Sequence, residues 1–368
     1  MPFTEITTEN NQYPPLTSSR KGIFLQTEYF NRQVASEDNT GYNIVPYGYF
    51  TYRHMSDDLT FSFNINEIVD YGIVSTLYPV FTTTSGLDSH FLRAYLNNSL
   101  RFASYCVLQK QGGSRTYMYF KKLASHEAVF PCVAEQKRIA LFTDLLDRRI
   151  CAQQKTIDAL KKYKRGLVSL VFSVENPYAL LLSETPMTEL LVEYRNRDTA
   201  GLRVCSVAVN KGVVDQIEHL GRSFSAADTS NYGRVKPGDI VYTKSPTGDF
   251  PYGIVKQNWL DEEVAVSPLY GVYTPISFEV GFLLHIYFEQ HSNANKYIRT
   301  LAQKGAKNTI NISTSHFLDK SILFPKDPAE IKLLVRLFSG LTERIAATER
   351  HLDLLTQKRR TLLQQLFI

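Results

Sequence analysis

The residues that come closest to catalytic chemistry form two short motifs. Asn176-Pro177-Tyr178 is similar to the Asn/Asp-Pro-Pro-aromatic loop with which adenine methyltransferases hold a target amino group, but it lacks the second proline. Glu135-Gln136-Lys137 matches one half of a nuclease metal site. Such a site also needs a carboxylate well upstream, and no aspartate lies between Asp88 and Asp144. We therefore interpret the first motif as a turn or a helix entry and the second as a solvated helix start.

Other common catalytic and metal-binding motifs are missing from the sequence. It has no G-x-x-x-x-G-K-[ST] phosphate-binding loop, no H-E-x-x-H zinc motif and no G-x-S-x-G nucleophile turn. The four cysteines, Cys106, Cys132, Cys151 and Cys205, lack the spacing of zinc ligands or of a disulfide framework. We therefore expect a chain without catalytic residues, metal or cofactor of its own.

The composition is that of a globular protein of ordinary hydrophobicity. With 368 residues, the chain has room for two domains that each bury a core. The net charge is +5, and residues 155–165 concentrate five positive charges against one negative. Residues 1–15 have no apolar signal core, and no apolar run approaches the length of a membrane span. We expect a soluble protein of the reducing cytoplasm.

The elements that would position functional residues occur in the same order twice. In the first half, the residue pattern predicts strands and then a helix over residues 42–54, 59–65, 71–83 and 90–109. In the second half, it predicts strands and then a helix over residues 232–246, 262–275 and 276–302. Phe130-Pro131 and Phe324-Pro325 then each introduce a long helix of about 38 residues.

The two halves align as an internal repeat. At a constant spacing of 195 residues, Leu146 falls on Leu341 and Phe172 on Phe367. In the preceding modules, residues 47–52 fall on 237–242 at a spacing of 190, and residues 74–82 on 266–274 at 192. A spacing that drifts slowly in one direction is typical of a duplication with small loop insertions. The second module has a longer opening, residues 176–209, so we expect a shortened or divergent opening in the first.

The long helices carry a narrow apolar stripe. Its members are predicted to pack a coiled coil or to dock partners: Ile139, Phe142, Leu146, Ile157, Leu160, Leu337, Leu341, Leu352, Leu355 and Leu362. Polar residues interrupt the stripe at matching places, Gln153 with Thr348 and Lys164 with Arg359. An ordinary dimerisation arm is one interpretation. The duplicated modules favour the other, an antiparallel pair within one chain, in which each helix spans roughly 57 Å.

This order resembles the specificity subunit of type I restriction–modification enzymes. The resemblance rests on Pro131 followed by Glu135-Gln136-Lys137-Arg138-Ile139, on the helix end at residues 359–367, and on the duplication itself. It implies an α/β (α+β) fold with pseudo-two-fold symmetry, in which two globular target-recognition domains are separated by two long helices that form an antiparallel coiled coil. The implied segments are residues 1–130, 131–175, 176–325 and 326–368.

The resemblance also implies partners. The family binds double-stranded DNA with a bipartite target, docks methyltransferase subunits, here expected to be two, and joins a motor/endonuclease restriction subunit. S-adenosylmethionine is then expected on the methyltransferase. A helix of roughly 57 Å would limit the distance between module centres to about 17 base pairs.

Cations and amides in loops are the groups that read DNA, because Arg and Lys pair with phosphate and guanine and Asn and Gln with adenine. Candidate DNA-binding residues occur at equivalent places in the two modules: Tyr52, Arg53, His54, Lys110, Arg115, Tyr242, Lys244, Lys304 and Lys307. Two other functions stay open. A coiled-coil scaffold would organise protein partners without reading DNA, and a methyltransferase in its own right is disfavoured by the incomplete loop at residues 176–178.

Overall fold

A computed structural model describes residues 1–30, 36–110, 114–173, 182–197, 201–220, 231–304, 310–313 and 315–367. The chain divides into two compact units. The first unit comprises Met1–Lys155 with Glu349–Ile368, and the second comprises Thr156–Thr348. Each unit therefore contains one part of each long helix. The four-segment division expected from the sequence stays a prediction.

The helices are α1 (Gln26–Tyr29), α2 (Ser89–Asn98), α3 (Leu100–Leu108), α4 (Phe120–Ala124), α5 (Val133–Val171), α6 (Met187–Leu190), α7 (Gln216–Leu220), α8 (Phe278–Glu289), α9 (His291–Ile298) and α10 (Pro328–Leu366). A short 3-10 helix spans His316–Leu318. The strands of the first unit are β1 (Pro2–Phe3), β2 (Leu16–Ser19), β3 (Gly22–Leu25), β4 (Asn43–Pro46), β5 (Phe50–Thr51), β6 (Met55–Ser56), β7 (Asn64–Ile65), β8 (Tyr71–Val74), β9 (Val80–Phe81) and β10 (Thr116–Tyr117).

The strands of the second unit are β11 (Leu182–Pro186), β12 (Leu191–Glu193), β13 (Arg203–Ala208), β14 (Gly212–Asp215), β15 (Gly233–Val235), β16 (Ile240–Tyr242), β17 (Val255–Gln257), β18 (Val264–Val266), β19 (Gly271–Pro275), β20 (Gln303–Lys304), β21 (Ile310–Asn311) and β22 (Ser321–Pro325).

The main sheets of the two units have the same strand order. It is β1-β9-β5-β7 in the first unit and β12-β19-β16-β17 in the second, with antiparallel pairing throughout. Phe50 lies opposite Phe81, and Ile240 lies opposite Tyr273. These are the pairs that the spacings of 190 and 192 residues require. The internal repeat predicted from the sequence is therefore confirmed strand by strand.

The first strand of each main sheet shows what the shorter opening of the first module lacks. β1 pairs with β9 as β12 pairs with β19, so both sheets have four strands. The second unit places two further elements ahead of this strand, β11 and α6. Met1 is the only described residue ahead of β1, so the described part of the first unit contains no counterpart of either element at that place. The difference between the modules therefore lies outside the main sheet.

The two long helices pack antiparallel within each unit. In the first unit, Arg359 near the end of α10 binds the carboxylate of Asp147 on α5. Ala140, closer to the start of α5, shares a core with Leu363 and Phe367, closer to the end of α10. In the second unit, the end of α5 and the start of α10 meet in one core that contains Phe172 and Phe338. The expected fold class, two mixed units with a pair of long antiparallel helices, is confirmed.

Two of the polar residues that interrupt the stripe, Lys164 and Arg359, each contact a charged or polar partner. Lys164 is buried on α5, and its ammonium group donates to a carboxylate oxygen of Glu289 at the end of α8, over 2.7 Å. Arg359, its counterpart in the repeat, binds Asp147 and also lies 3.4 Å from the side-chain oxygen of Asn98 at the end of α2. Each long helix thus has a cation near its carboxyl end, and this cation contacts the end of a shorter helix of the same unit, α8 or α2.

Candidate functional site

Two of the residues expected to bind DNA are core residues instead. The ring of Tyr52 is 0% exposed, packs on Phe63 and donates its hydroxyl proton to the carbonyl oxygen of Met118 over 2.8 Å. Tyr242 is equally buried and donates to the carbonyl of Tyr252 over 2.7 Å. Burial raises the pKa of both hydroxyls. A side chain without exposed surface contacts no DNA, so these two predictions are wrong.

His54 is also buried, at 7% exposure. Its Nδ1 donates to the carbonyl oxygen of Leu77 over 2.6 Å, and its ring stacks on Tyr119 at 4.8 Å between centroids. The imidazole therefore supports the loop, and its role as a DNA contact stays a prediction. Arg53, the neighbouring residue, is exposed.

The structure brings the two candidate loops of the first unit together. β6 follows Arg53 and His54, β10 follows Arg115, and the two strands pair antiparallel. Arg115 is exposed, and its Nε donates to Asp57 over 2.8 Å. Lys110 is exposed at the end of α3, and residues 111–113 lie outside the described part of the chain. The first unit thus places one exposed arginine near each end of this strand pair.

Two exposed tyrosines beside these arginines were missed from the sequence. Tyr117 is 38% exposed and Tyr119 52%, and their rings lie nearly parallel with centroids 5.9 Å apart. Met118 between them is fully buried. This alternation of exposed and buried residues was readable in the run Tyr117-Met118-Tyr119, because successive residues of an extended segment face opposite sides. We call Arg53, Arg115, Tyr117 and Tyr119 the first-unit surface.

Sheet direction determines which loops meet in the second unit. β12 and β16 both pair antiparallel with β19, so they run in the same direction and end at the same edge. Residues 194–197 follow β12, and Lys244 closely follows β16. A polar groove of about 600 Å³ opens at this edge, and we call it the Lys244 groove. Its lining residues are Glu193, Tyr194, Arg195, Asn196, Arg197, Asn231, Gly233, Lys244, Pro268, Tyr270, Val272, Ile312 and Ser313.

Lys244 is held in an unusual backbone conformation at the groove. Its φ is +54°, and the loop segment opposite passes so closely that a Cβ on Gly253 would lie 2.9 Å from the Lys244 backbone nitrogen. Gly253 itself has φ +91°, where glycine is favoured. Burial lowers the pKa of the Lys244 ammonium, and the charge of Glu193 works against that effect. The lysine is thus a fixed, half-buried cation.

The groove presents three kinds of group to a ligand. Lys244, Arg195 and Arg197 supply cationic donors, Asn196 and Asn231 supply amides, and Tyr194 and Tyr270 supply rings. The Arg195 guanidinium donates to Glu193 over 2.7 Å. In the first unit, the residues that follow β1, Thr4-Glu5-Ile6, include no cation, whereas Arg53 follows β5 as Lys244 follows β16. The two units therefore both carry a cation in the loop after β5 or β16, and they differ in the loop after β1 or β12.

The run of residues 194–197 was missed among the candidate sites. Its signal was present, because two arginines and an asparagine closely follow the apolar run Leu190-Leu191-Val192. The structure does not describe the side chains of two lysines that the sequence predicts to bind DNA. Lys304 belongs to β20, but the position of its side chain is not described, and Lys307 lies outside the described residues. Both stay predictions, as do Arg53, Lys110, Arg115 and Lys244. Asn176-Pro177-Tyr178 also lies outside the described residues.

The predicted helix stripe is only partly buried. Ile157 is 2% exposed, but Phe142 and Leu337, which correspond in the repeat, are 43% and 40% exposed. The remaining members, Ile139, Leu146, Leu160, Leu341, Leu352, Leu355 and Leu362, are half-buried. The most buried positions include Ala140, Phe338 and Leu363, because the helix ends pack on the cores of the units as well as on each other. A repeated exposed apolar position is thus left on each helix.

Comparisons with solved structures show the fold. A type I restriction–modification S subunit from M. genitalium matches 99% of this chain and 93% of its own, with a TM-score of 0.56 and 12% identity. A chain from a structure that describes complex assembly and conformational transition of the type I restriction–modification system matches 93% of this chain and 85% of its own, with a TM-score of 0.50 and 12% identity. The chain has the fold of type I specificity subunits, as its sequence predicts.

The other comparisons and searches give no match or candidate. No protein-family model and no curated protein matches the sequence. Within the described ranges, no group of three or more His, Cys, Asp or Glu side chains is arranged to hold a metal ion. None of the helices in that part of the chain is both long and apolar enough to span a membrane.

Proposed function

We propose that this protein is the DNA-recognition subunit of a type I restriction–modification complex and acts in the cytoplasm. The observation that carries the proposal is the duplication. Two units with the same sheet, each followed by a long helix, match the S-subunit fold over 99% of the chain. Two similar readers on a pair of helices suit a target of two half-sites separated by an unspecified gap. The chain itself would contribute recognition, and the methyl and nuclease chemistry would belong to its partners.

In this proposal, the Lys244 groove contacts one half-site and the first-unit surface the other. Arginine and lysine donors suit phosphates and guanine edges, and asparagine suits adenine. Arg195 and Arg197 after β12 have no counterpart in Thr4-Glu5-Ile6 after β1, and this difference suits two unlike half-sites. The exposed Phe142 and Leu337 give each long helix one apolar anchor for a methyltransferase subunit, so two such subunits are expected. S-adenosylmethionine would be bound by those subunits.

The proposal is tested by co-expression with a type I methyltransferase subunit from the same genome, followed by purification and sequencing of methylated DNA. We expect a complex and methylation at one bipartite sequence. Replacing Phe142 and Leu337 by aspartate should abolish co-purification, while the folded chain remains. A complex that methylates DNA without any sequence preference would contradict DNA reading and would favour the coiled-coil scaffold.

The double substitution Arg195→Gln with Lys244→Gln is expected to weaken binding of target DNA by the complex. Each good contact to a base edge or phosphate contributes roughly 1–3 kcal/mol, so the loss should be at least about 10-fold. The slope of log K against log salt should also become shallower by about two, because two phosphate-neutralising charges are removed. Binding measured from 50 to 300 mM salt, roughly spanning the physiological range, checks both.

Lys296→Gln is the matched control, because Lys296 is an exposed lysine of the same unit outside the groove. It should leave both affinity and salt slope close to those of the unsubstituted complex. Equal behaviour of the control and the double variant would exclude the Lys244 groove as a DNA contact. It would leave the wider proposal to the methylation experiment.

A further inference from the structure

The first unit contains an apolar cavity that the proposed DNA recognition does not use. It measures about 230 Å³, and its lining is mostly apolar, with Tyr95, His126 and three threonines. Its lining residues come from the end of β9, from α2 and α4, and from the segment after α4: Met1, Phe81, Thr82, Thr83, Thr84, Leu87, Leu92, Tyr95, Leu96, Phe120, Leu123, Ala124, His126 and Phe130. An apolar cavity of about 150 Å³ is already large enough to hold benzene.

The corresponding place in the second unit is filled by α6. The backbone N–H of Ile276 donates to the carbonyl of Leu190 over 3.0 Å, and the N–H of Met187 donates to the carbonyl of Lys320 over 2.8 Å. Met187 is 0% exposed and Leu190 4%, and both belong to the core of that unit. α6 is thus bracketed by Ile276 and Lys320. In the repeat, these two residues correspond to Thr84 and His126, and both line the cavity of the first unit.

A strand edge beside the cavity shows the same difference. In the second unit, β11 pairs with β22 along five residues, Leu182–Pro186 against Ser321–Pro325. The counterpart of β22 is the segment 127–131, which forms no strand pairing with any described residue. Val129 in this segment is 92% exposed. Phe130 is half-buried, whereas its counterpart Phe324 is 0% exposed. Among the described residues of the first unit, none covers the edge and the cavity in the way that β11 and α6 cover their counterparts in the second unit.

We propose that this edge and cavity receive an extended segment of a partner polypeptide. The second unit supplies the chemistry of the occupant. The occupant would have a strand that pairs with residues 127–131. The turn after this strand would place two apolar side chains in the cavity, three residues apart like Met187 and Leu190. Main-chain hydrogen bonds give such strand addition its affinity, and side-chain pockets give it specificity. A small molecule would fill the cavity alone and would leave the edge unpaired.

A second copy of this chain is a poorer occupant than a different polypeptide. To donate its own β11 and α6, the copy would have to withdraw Met187 and Leu190 from a core in which they are almost completely buried. That exchange would uncover in one molecule the surface that it covers in the other. A different polypeptide with a free segment gains the contacts without this loss.

The test uses the full chain and a synthetic peptide with the sequence of residues 182–190. We expect saturable binding of one peptide per chain and a rise in the melting temperature of the chain as peptide is added. A peptide with Met187→Asp and Leu190→Asp should bind at least about 30-fold more weakly, because two apolar anchors are lost. Since the substitutions are in the peptide, folding of the protein is unaffected.

A photoreactive group at the Met187 position of the peptide locates the binding site. Cross-links to residues 81–96 or 120–130 support the proposal. Cross-links confined to residues 273–288 would mean that the peptide exchanges with the segment of the second unit, and they would overturn it. Absence of saturable binding, or equal binding of the doubly substituted peptide, would overturn it too. None of these readouts involves DNA, so they are independent of the proposed function.

Discussion

Removal of one heptad from each long helix is expected to shorten the gap between the half-sites by about three base pairs. Seven residues correspond to about 10.5 Å of helix, and DNA rises about 3.4 Å per base pair. The matched deletion removes residues 148–154 from α5 and residues 352–358 from α10. It retains Asp147 and Arg359, whose ion pair fixes the helix register in the first unit. The stripe is also preserved, because seven residues are almost two complete turns.

The measurement is sequencing of DNA methylated by the complex of the shortened chain. The half-sites should stay the same and only their separation should change, since the deletion leaves both sheets intact. The methylation rate should fall as well, because three base pairs turn one half-site by about 100° around the DNA axis relative to the other. An unchanged gap in an active complex would exclude the helices as the element that sets the spacing.

Deletion of residues 148–154 alone is the control. It would shift α5 against α10 by two turns and separate Asp147 from Arg359. We expect loss of the complex rather than a new spacing. If the single deletion produced the same new gap as the matched pair, the length of α5 alone would set the separation.

The sequence was informative wherever a property repeats. Fixed spacings between Phe50 and Ile240, and between Phe81 and Tyr273, are visible without coordinates, and they imply that the two sheets share one register. The repeat could be checked within the sequence, because an accidental match between two elements would not continue into the elements that follow them. The pair of long helices followed from the same comparison, since each apolar stripe needs a surface to cover it.

Individual side chains were harder to predict, because exposure depends on partners far away in the sequence. Tyr52 looked like a loop residue with a polar tip, but the Met118 carbonyl that accepts its proton is 66 residues away. Lys164 looked like a break in the stripe, and its partner Glu289 is 125 residues away. The cations that line the Lys244 groove meet only because β12 and β16 end at one sheet edge. A pattern of neighbouring residues does not show which distant residues become partners in the fold.

Glu289→Gln is expected to lower the free energy of unfolding of the second unit by about 3 kcal/mol. Glu289 is the acidic partner of Lys164, whose side chain is 11% exposed. The positive charge of the buried Lys256 also interacts with the Glu289 carboxylate. Removing one member of a buried ion pair leaves an uncompensated charge and costs about 3–5 kcal/mol. We expect the lower end of that range, because the Glu289 side chain is 41% exposed.

Urea unfolding followed by tryptophan fluorescence measures this effect in the second unit alone. Trp259 is the single tryptophan of the sequence, and its ring lies 4.6 Å from that of His285 on α8. Burial tends to raise the pKa of Glu289, but Lys164, His285 and Lys256 together lower it below its ordinary value. The stabilisation is therefore present above the unfolded pKa of about 4.3 and is lost as the pH falls through the folded value.

Lys164→Met separates an unpaired charge from lost packing. A methionine keeps the apolar stem of lysine without its charge, so the single variant should stay within about 1 kcal/mol of the unsubstituted protein or exceed it. Combined with Glu289→Gln, it should restore most of the loss. Glu189→Gln is the matched control, since its pair with Lys326 is exposed on both sides and should contribute less than about 1 kcal/mol. Similar losses from Glu189→Gln and Glu289→Gln would contradict a buried ion pair at the end of α5.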